Sequence, residues 1–129
     1  MSLAQVRDGL ADTLAAGLSG VNVYRIPPEN ITAPAVIVSG FSITPIATGV
    51  NTVSVELYAA VSKRNTSVMD DLDVLVDPES AGSIIGLLDA DPSLGGNVNS
   101  VRLESIGEYR ELEVAGVGYY AATVRYEVI

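Results

Sequence analysis

An α+β fold with a mostly antiparallel sheet and helices on one face is predicted by three features of the chain. Its first residues have the spacing of a capped amphipathic helix, its second half is rich in alternating β-type segments, and Pro and Gly punctuate the boundaries between them. Leu3, Val6, Leu10, Leu14 and Leu18 recur at three- and four-residue steps, so residues 2–18 read as one helix with Arg7, Asp8 and Asp12 off its apolar stripe. Ser2 followed by Gln5 has the spacing of a capping box, and Gly20 suits the left-handed residue after a helix.

Residues 21–25 read as a short strand. Pro27 and Pro28 break it, because neither can donate a ladder hydrogen bond, and Ala35, Val36, Ile37 and Val38 form a second strand buried on both faces. Residues 49–62 follow as a long strand, with Val53, Val55, Leu57, Ala59 and Val61 alternating against Thr52, Ser54, Glu56, Tyr58 and Ala60. The intervening residues 41–50 contain Pro45, Thr48 and Gly49 and are expected to be a long hairpin loop or flexible arm.

Asn65 to Ser67 can cap a second helix. Val68, Met69, Leu72, Leu75 and Val76 make its inner face, Asp70, Asp73 and Asp77 its outer one, and Asp77-Pro78 its end. A third, shorter helix carries Ile84, Ile85, Leu87 and Leu88 and stops at Asp91-Pro92. Gly95-Gly96-Asn97 is a turn, after which strands are expected over 98–106, 109–114 and 117–129, with a break near Gly107 and a turn at Ala115-Gly116. In the last strand Tyr120, Ala122, Val124, Tyr126 and Val128 share one face; Tyr119, Ala121, Thr123, Arg125 and Glu127 share the other. The order is α-β-β-β-α-α-β-β-β, and residues 1–129 read as a single domain.

Composition narrows the chemistry. The chain has no Cys and no His, which removes thiol nucleophiles, disulfides, imidazole bases and Cys/His zinc sites. Sixteen acidic against seven basic residues give a formal charge of −9, which opposes non-specific attraction to nucleic-acid backbones and anionic membranes. No apolar run reaches the roughly 20 residues of a spanning helix, and Arg7, Asp8 and Asp12 interrupt any signal-peptide core, so a soluble chain is expected.

Clustered carboxylates at Asp70, Asp71, Asp73, Asp77 and Glu79 have the chemistry to hold Mg²⁺ or Mn²⁺, as in a metal-dependent phosphohydrolase. Their helical spacing is also that of a solvated face, which is the preferred reading. Gly95-Gly96-Asn97 and Leu18-Ser19-Gly20 lack the spacing of phosphate-binding loops and read as turns. A Ser62-Lys63 dyad rests on the single lysine and has no supporting motif. Tyr58, Tyr109, Tyr119 and Tyr120 have no basic interleaving to make them a base-stacking platform. No catalytic residue, metal ligand or cofactor site is assigned, and the expectation is that the chain is not an enzyme.

With this order in view, the chain resembles the tail terminator proteins of long, non-contractile-tailed bacteriophages, most closely the actinobacterial-phage branch. The resemblance runs nearly end to end. It rests on Val6-Arg7-Asp8-Gly9-Leu10, Val23-Tyr24-Arg25-Ile26-Pro27-Pro28, Pro34-Ala35-Val36-Ile37-Val38, Met69-Asp70-Asp71-Leu72-Asp73, Leu94-Gly95-Gly96-Asn97-Val98 and Gly118-Tyr119-Tyr120-Ala121.

The resemblance implies a virion structural protein. Its subunits would form a homo-oligomeric ring, usually a hexamer, on the head-proximal end of the tail tube, stop tube polymerisation and present a surface to the head-completion or connector protein. Such a protein would assemble in the host cytoplasm and reside in the virion tail. A head-completion or connector protein of the same joint is the alternative.

Phe41, Ile43, Pro45, Thr48 and Val50 in the expected arm, and Arg110 and Arg125 as partners for a neighbour's carboxylates, are the candidate subunit or tail-tube interface. Six subunits at −9 would carry about −54, so an acidic bore that lets DNA pass without specific binding is expected. Asp70, Asp71 and Asp73 on a helix and Glu108, Glu111 and Glu113 on a hairpin are equal candidates to line it.

Overall fold

The structure, a computed structural model, describes residues 2–47, 50–63, 68–107 and 109–129, with the side chains of 46, 50, 51 and 68 outside that description. The elements follow the predicted order: α1 (Leu3–Gly17), β1 (Asn22–Tyr24), β2 (Ala35–Ala47), β3 (Val50–Ser62), α2 (Val68–Val76), α3 (Ile84–Ala90), β4 (Val101–Ile106), β5 (Arg110–Val114) and β6 (Val117–Val128). Among the described residues they form an α+β domain with one mixed six-stranded sheet, in the order β1-β2-β3-β6-β4, with β5 also paired to β6. Only the β1–β2 pair is parallel.

Residues at alternate positions on the long strands supply one apolar face. Val55, Leu57 and Ala59 of β3 and Ala122, Val124 and Tyr126 of β6 join Leu10 and Leu14 of α1, Leu72 and Leu75 of α2, and Ile84 and Leu88 of α3 in a single core. All three helices therefore cover the same face. Ser2 caps α1 with the expected box: Gln5 N–H donates to Ser2 Oγ (3.1 Å) and Ser2 N–H to Gln5 Oε1 (2.9 Å). Val6, Leu10, Leu14 and Leu18 are buried, whereas Leu3 is exposed at the first turn. The helix stops at Leu18, which is already extended, and Gly20 (φ +72°) makes the turn into β1.

β5 and β4 lie end to end along the same edge of β6. β4 pairs with Val124–Val128 and β5 with Val117–Ala121, and Gly107 N–H still donates to Thr123 O between them. The break expected near Gly107 thus interrupts one long edge. Ala115 (φ +52°) and Gly116 (φ +80°) make the two-residue hairpin turn. The opposite face of the sheet carries a smaller cluster, Ala60, Tyr119 and Ala121 packed with Ile31, Ala33, Leu112 and Val114. Ile31 and Ala33, between β1 and β2, reach this face, where Tyr119 donates its hydroxyl to Ile31 O (3.0 Å).

The structure corrects two expectations drawn from the sequence. Residues 41–47 are strand, because β2 continues to Ala47 and pairs with β3 from Phe41↔Val55 to Ala47↔Val50. A bulge between Val38 and Gly40 hides this in the sequence: it puts Val38 and Phe41, three residues apart, on the same face and breaks the two-residue alternation. Pro45 is compatible with the strand since β1 covers only Ala35–Ile37 and leaves the outer edge of β2 open beyond them. The strand expected from residue 98 begins at Val101. Leu94, Gly95 and Gly96 all adopt positive φ, and the chain becomes extended only after that turn. Thr48, Glu108 and the cap expected at 65–67 lie outside the described residues.

Tyr126 is 1% exposed and its hydroxyl has no hydrogen-bond partner among the described residues. Burial, with Asp89 nearby, pushes its ionisation well above the ordinary tyrosine range.

Candidate functional site

The β2–β3 hairpin outruns the sheet. Val53 pairs with Ile43 on one side and with Val128, the last residue of β6, on the other, so the pairs Thr44↔Thr52, Pro45↔Asn51 and Ala47↔Val50 have no β6 neighbour. They form a projecting arm. Phe41 anchors its base, packed against the core with the Arg7 guanidinium 4.9 Å from its ring centroid. Arg7 also donates to Val38 O (3.2 Å) and Arg25 O (3.3 Å), tying α1 to the strand from which the arm grows. Further out Ile43 is 50% exposed, and Pro45 and Ala47 are exposed as well. No charged residue occurs between Glu29 and Glu56, a neutral stretch in a chain of charge −9. That gap in charge is the signal of the arm in the sequence, and it belongs to no motif.

The face opposite the helices carries a charge ladder. Arg125 and Glu56, cross-strand partners in register, form an ion pair at 3.1 Å; Arg102 and Glu127, also in register, form another. Ser54 Oγ donates to Glu104 (2.6 Å), and Arg110 lies over Tyr58, 5.5 Å from its ring centroid, donating to the phenol oxygen (3.2 Å). Arg110 and Arg125, expected to seek a neighbour's carboxylates, thus already have partners within their own chain. Three arginines and three glutamates balance on this face, so the net negative charge resides elsewhere.

The described acidic candidates from α2 and β5 lie on the same side of the sheet. Asp70, Asp71 and Asp73 are exposed on α2. Glu111 and Glu113 sit opposite Tyr120 and Gly118, and Tyr120 packs toward the helix-covered core. Tyr109 bridges the two elements by donating its hydroxyl to Asp73. Lys63 pairs with Glu111 (3.0 Å) above the Tyr120 ring, 5.5 Å from its centroid. The hydrogen bond to Glu111 holds the Lys63 ammonium above its ordinary pKa, opposite to the shift a Ser62-Lys63 base would need. Asp77 accepts from Glu79 N–H (2.9 Å) in a local turn, and among the described residues no three carboxylates converge as a metal-holding group. Sequence reasoning could not foresee Tyr109 and Lys63 as the links, since each spans elements distant in the chain.

Partial burial, then the hydrogen bond to Asp73, pushes the Tyr109 phenol up to about 12. An unfolded tyrosine ionises near pH 10, so the neutral form is favoured by folding; this contribution is complete below about pH 10 and is lost as pH rises towards 12. Tyr109→Phe is expected to flatten the fall in stability across that window, read by urea unfolding at stepped alkaline pH. An unchanged slope would show that the phenol is not held by Asp73.

At the other end of the sheet from the arm, the turn after α1, the residues leading into β2, the end of β3 and α2 enclose an open groove of about 440 Å³. Leu18, Val61 and Leu75 are its buried floor, Pro34 and Val21 line it, Val74 stands 61% exposed at its rim, and Asp71 is its one charged lining residue among those described. A second concavity of about 510 Å³ adjoins it at Ala33 and Ser62 and continues past Lys63 to Val117 and Tyr119. Val74, an apolar residue beside Asp73 on the outer face of α2, is the sequence signal for this groove.

No protein-family model matches the chain, and no curated protein compared with it does. No described helix is long and apolar enough to cross a membrane.

Proposed function

We propose that the chain is a virion assembly protein that forms a ring on the head-proximal end of a phage tail tube, ends tube growth and offers its other face to the head-joining protein. The observation that carries this reading is the uncharged arm projecting from an otherwise acidic domain, a feature suited to joining like subunits. The segments that carry the resemblance are distributed along the whole fold. They form the middle of α1, β1 with the chain leaving it, the start of β2, the first turns of α2, the turn before β4 and the start of β6. The acidic side formed by α2 and β5 is the surface proposed to face the bore, where carboxylates would repel passing DNA rather than hold it.

The test is to add purified protein to polymerising tail tubes and image them by negative-stain microscopy. Rings of about six subunits at one tube end, with elongation arrested, are expected. Protein that ignores tubes and binds heads would assign it to the connector instead, and protein that binds neither would end the proposal.

A further inference from the structure

We infer that the neutral β2–β3 arm of one subunit docks in the apolar groove beside α2 of the next copy, head to tail. This rests on the self-assembly in the proposed function, and adds which surfaces meet. The arm cannot fill its own groove: Val53 at its base and Val61 in the groove floor lie at opposite ends of β3, about 27 Å of extended strand apart. The occupant therefore comes from another molecule.

Charge selects what that molecule is. Two copies at −9 repel, so a contact in which one side carries no charge avoids setting carboxylate against carboxylate. The arm has no charged residue, and the groove has Asp71 alone among its described lining. Shape agrees with charge: Ile43 is an exposed large apolar residue at the base of a narrow projection, and the groove opens over an apolar floor of Leu18, Val61 and Leu75 with exposed Val74 at its rim. Because arm and groove are different surfaces at opposite ends of one sheet, the contact is heterologous and repeats from copy to copy, which closes a ring where the rotation allows.

The chain has no cysteine, so paired thiols can be introduced without background. Ile43→Cys and Val74→Cys proteins, each exposed at the substituted position, would be mixed, oxidised and run on non-reducing gels. Expected are heterodimers from the mixture, and a ladder ending in a closed ring from the double variant. Ile43→Asp is expected to weaken self-association about tenfold or more in light scattering, with unchanged thermal unfolding. Arm-to-arm or groove-to-groove dimers, no crosslink at concentrations up to millimolar, or full association of Ile43→Asp would each overturn the inference. A small molecule held in the groove and blocking the Val74→Cys thiol, seen by native mass spectrometry, would do so as well. Tube capping without the Ile43–Val74 crosslink would sink this contact and leave the terminator reading standing; the crosslink without tube capping would do the reverse.

Discussion

Leu57→Ala is expected to lower the unfolding free energy by about 3 kcal/mol or more, among the largest effects of any single substitution in this chain. Leu57 is fully buried in the middle of β3, in register with Val38 of β2 and Val124 of β6, beneath the layer to which all three helices contribute. Truncation removes apolar contact and leaves a cavity, and strands paired on both sides of β3 oppose its collapse. Against a typical domain stability of about 5–15 kcal/mol this is a large fraction, equivalent to a fall in Tm of about 10 °C or more. Urea and thermal unfolding would measure it, with Ile26→Ala, at a 54% exposed position, expected to stay within about 0.5 kcal/mol of the parent. A loss below about 1 kcal/mol at Leu57 would mean that this part of the core is not close-packed.

Gly86→Ala is expected to cost about 3 kcal/mol although alanine is the better helix former by about 1 kcal/mol. A Cβ at residue 86 would lie 2.0 Å from Ser80 O and 2.7 Å from Ala81 Cα, both backbone atoms that cannot rotate away. The turn is held by Ser83, fully buried, whose hydroxyl lies 2.6 Å from Asp77 O and 2.9 Å from Ser80 O and accepts from Gly86 N–H (3.1 Å). Making room for a methyl group would pull this cap apart and shift α3, with Ile84, Ile85 and Leu88, out of the core. Gly82→Ala, where nothing lies within 4 Å, is the control and is expected to be neutral within about 0.5 kcal/mol. Equal stability of the two variants in chemical unfolding would show that the turn at 80–81 yields freely.

The helices and the long strands β3 and β6 were legible because their information is local. Val6, Leu10 and Leu14 repeat at the helical period, Ser2 and Gln5 satisfy each other's backbone within one turn, and the faces of β6 follow from a period of two. α3 ends at Asp91, just before Pro92, which cannot continue a helix, and Gly116, free to take positive φ, closes the last hairpin beside Ala115. The continuation of β2 through Phe41, Ile43 and Pro45 was not legible, since a bulge shifts the alternation and a proline there is permitted only by an open sheet edge, which no local pattern declares. The same holds for the candidate surfaces. Two acidic clusters were visible in the chain, but their shared side depends on the pairing of β5 with β6 and on the reach of Tyr109 to Asp73. Arg125 looked unpartnered until β3 was laid beside β6, placing Glu56 opposite it.

What the sequence by itself determined is therefore the kind and order of the elements, the apolar faces, the absence of thiol and imidazole chemistry, and the charge of −9. Tertiary structure alone decided where that charge sits, that the arm is a paired hairpin extending past β6, and that the groove lies at the opposite end of the sheet. The reason is range. Periodicity, caps and turns are set by neighbours within a few residues, whereas register and the ends of a sheet are set by pairing between residues up to 75 positions apart, as Val53 and Val128 are.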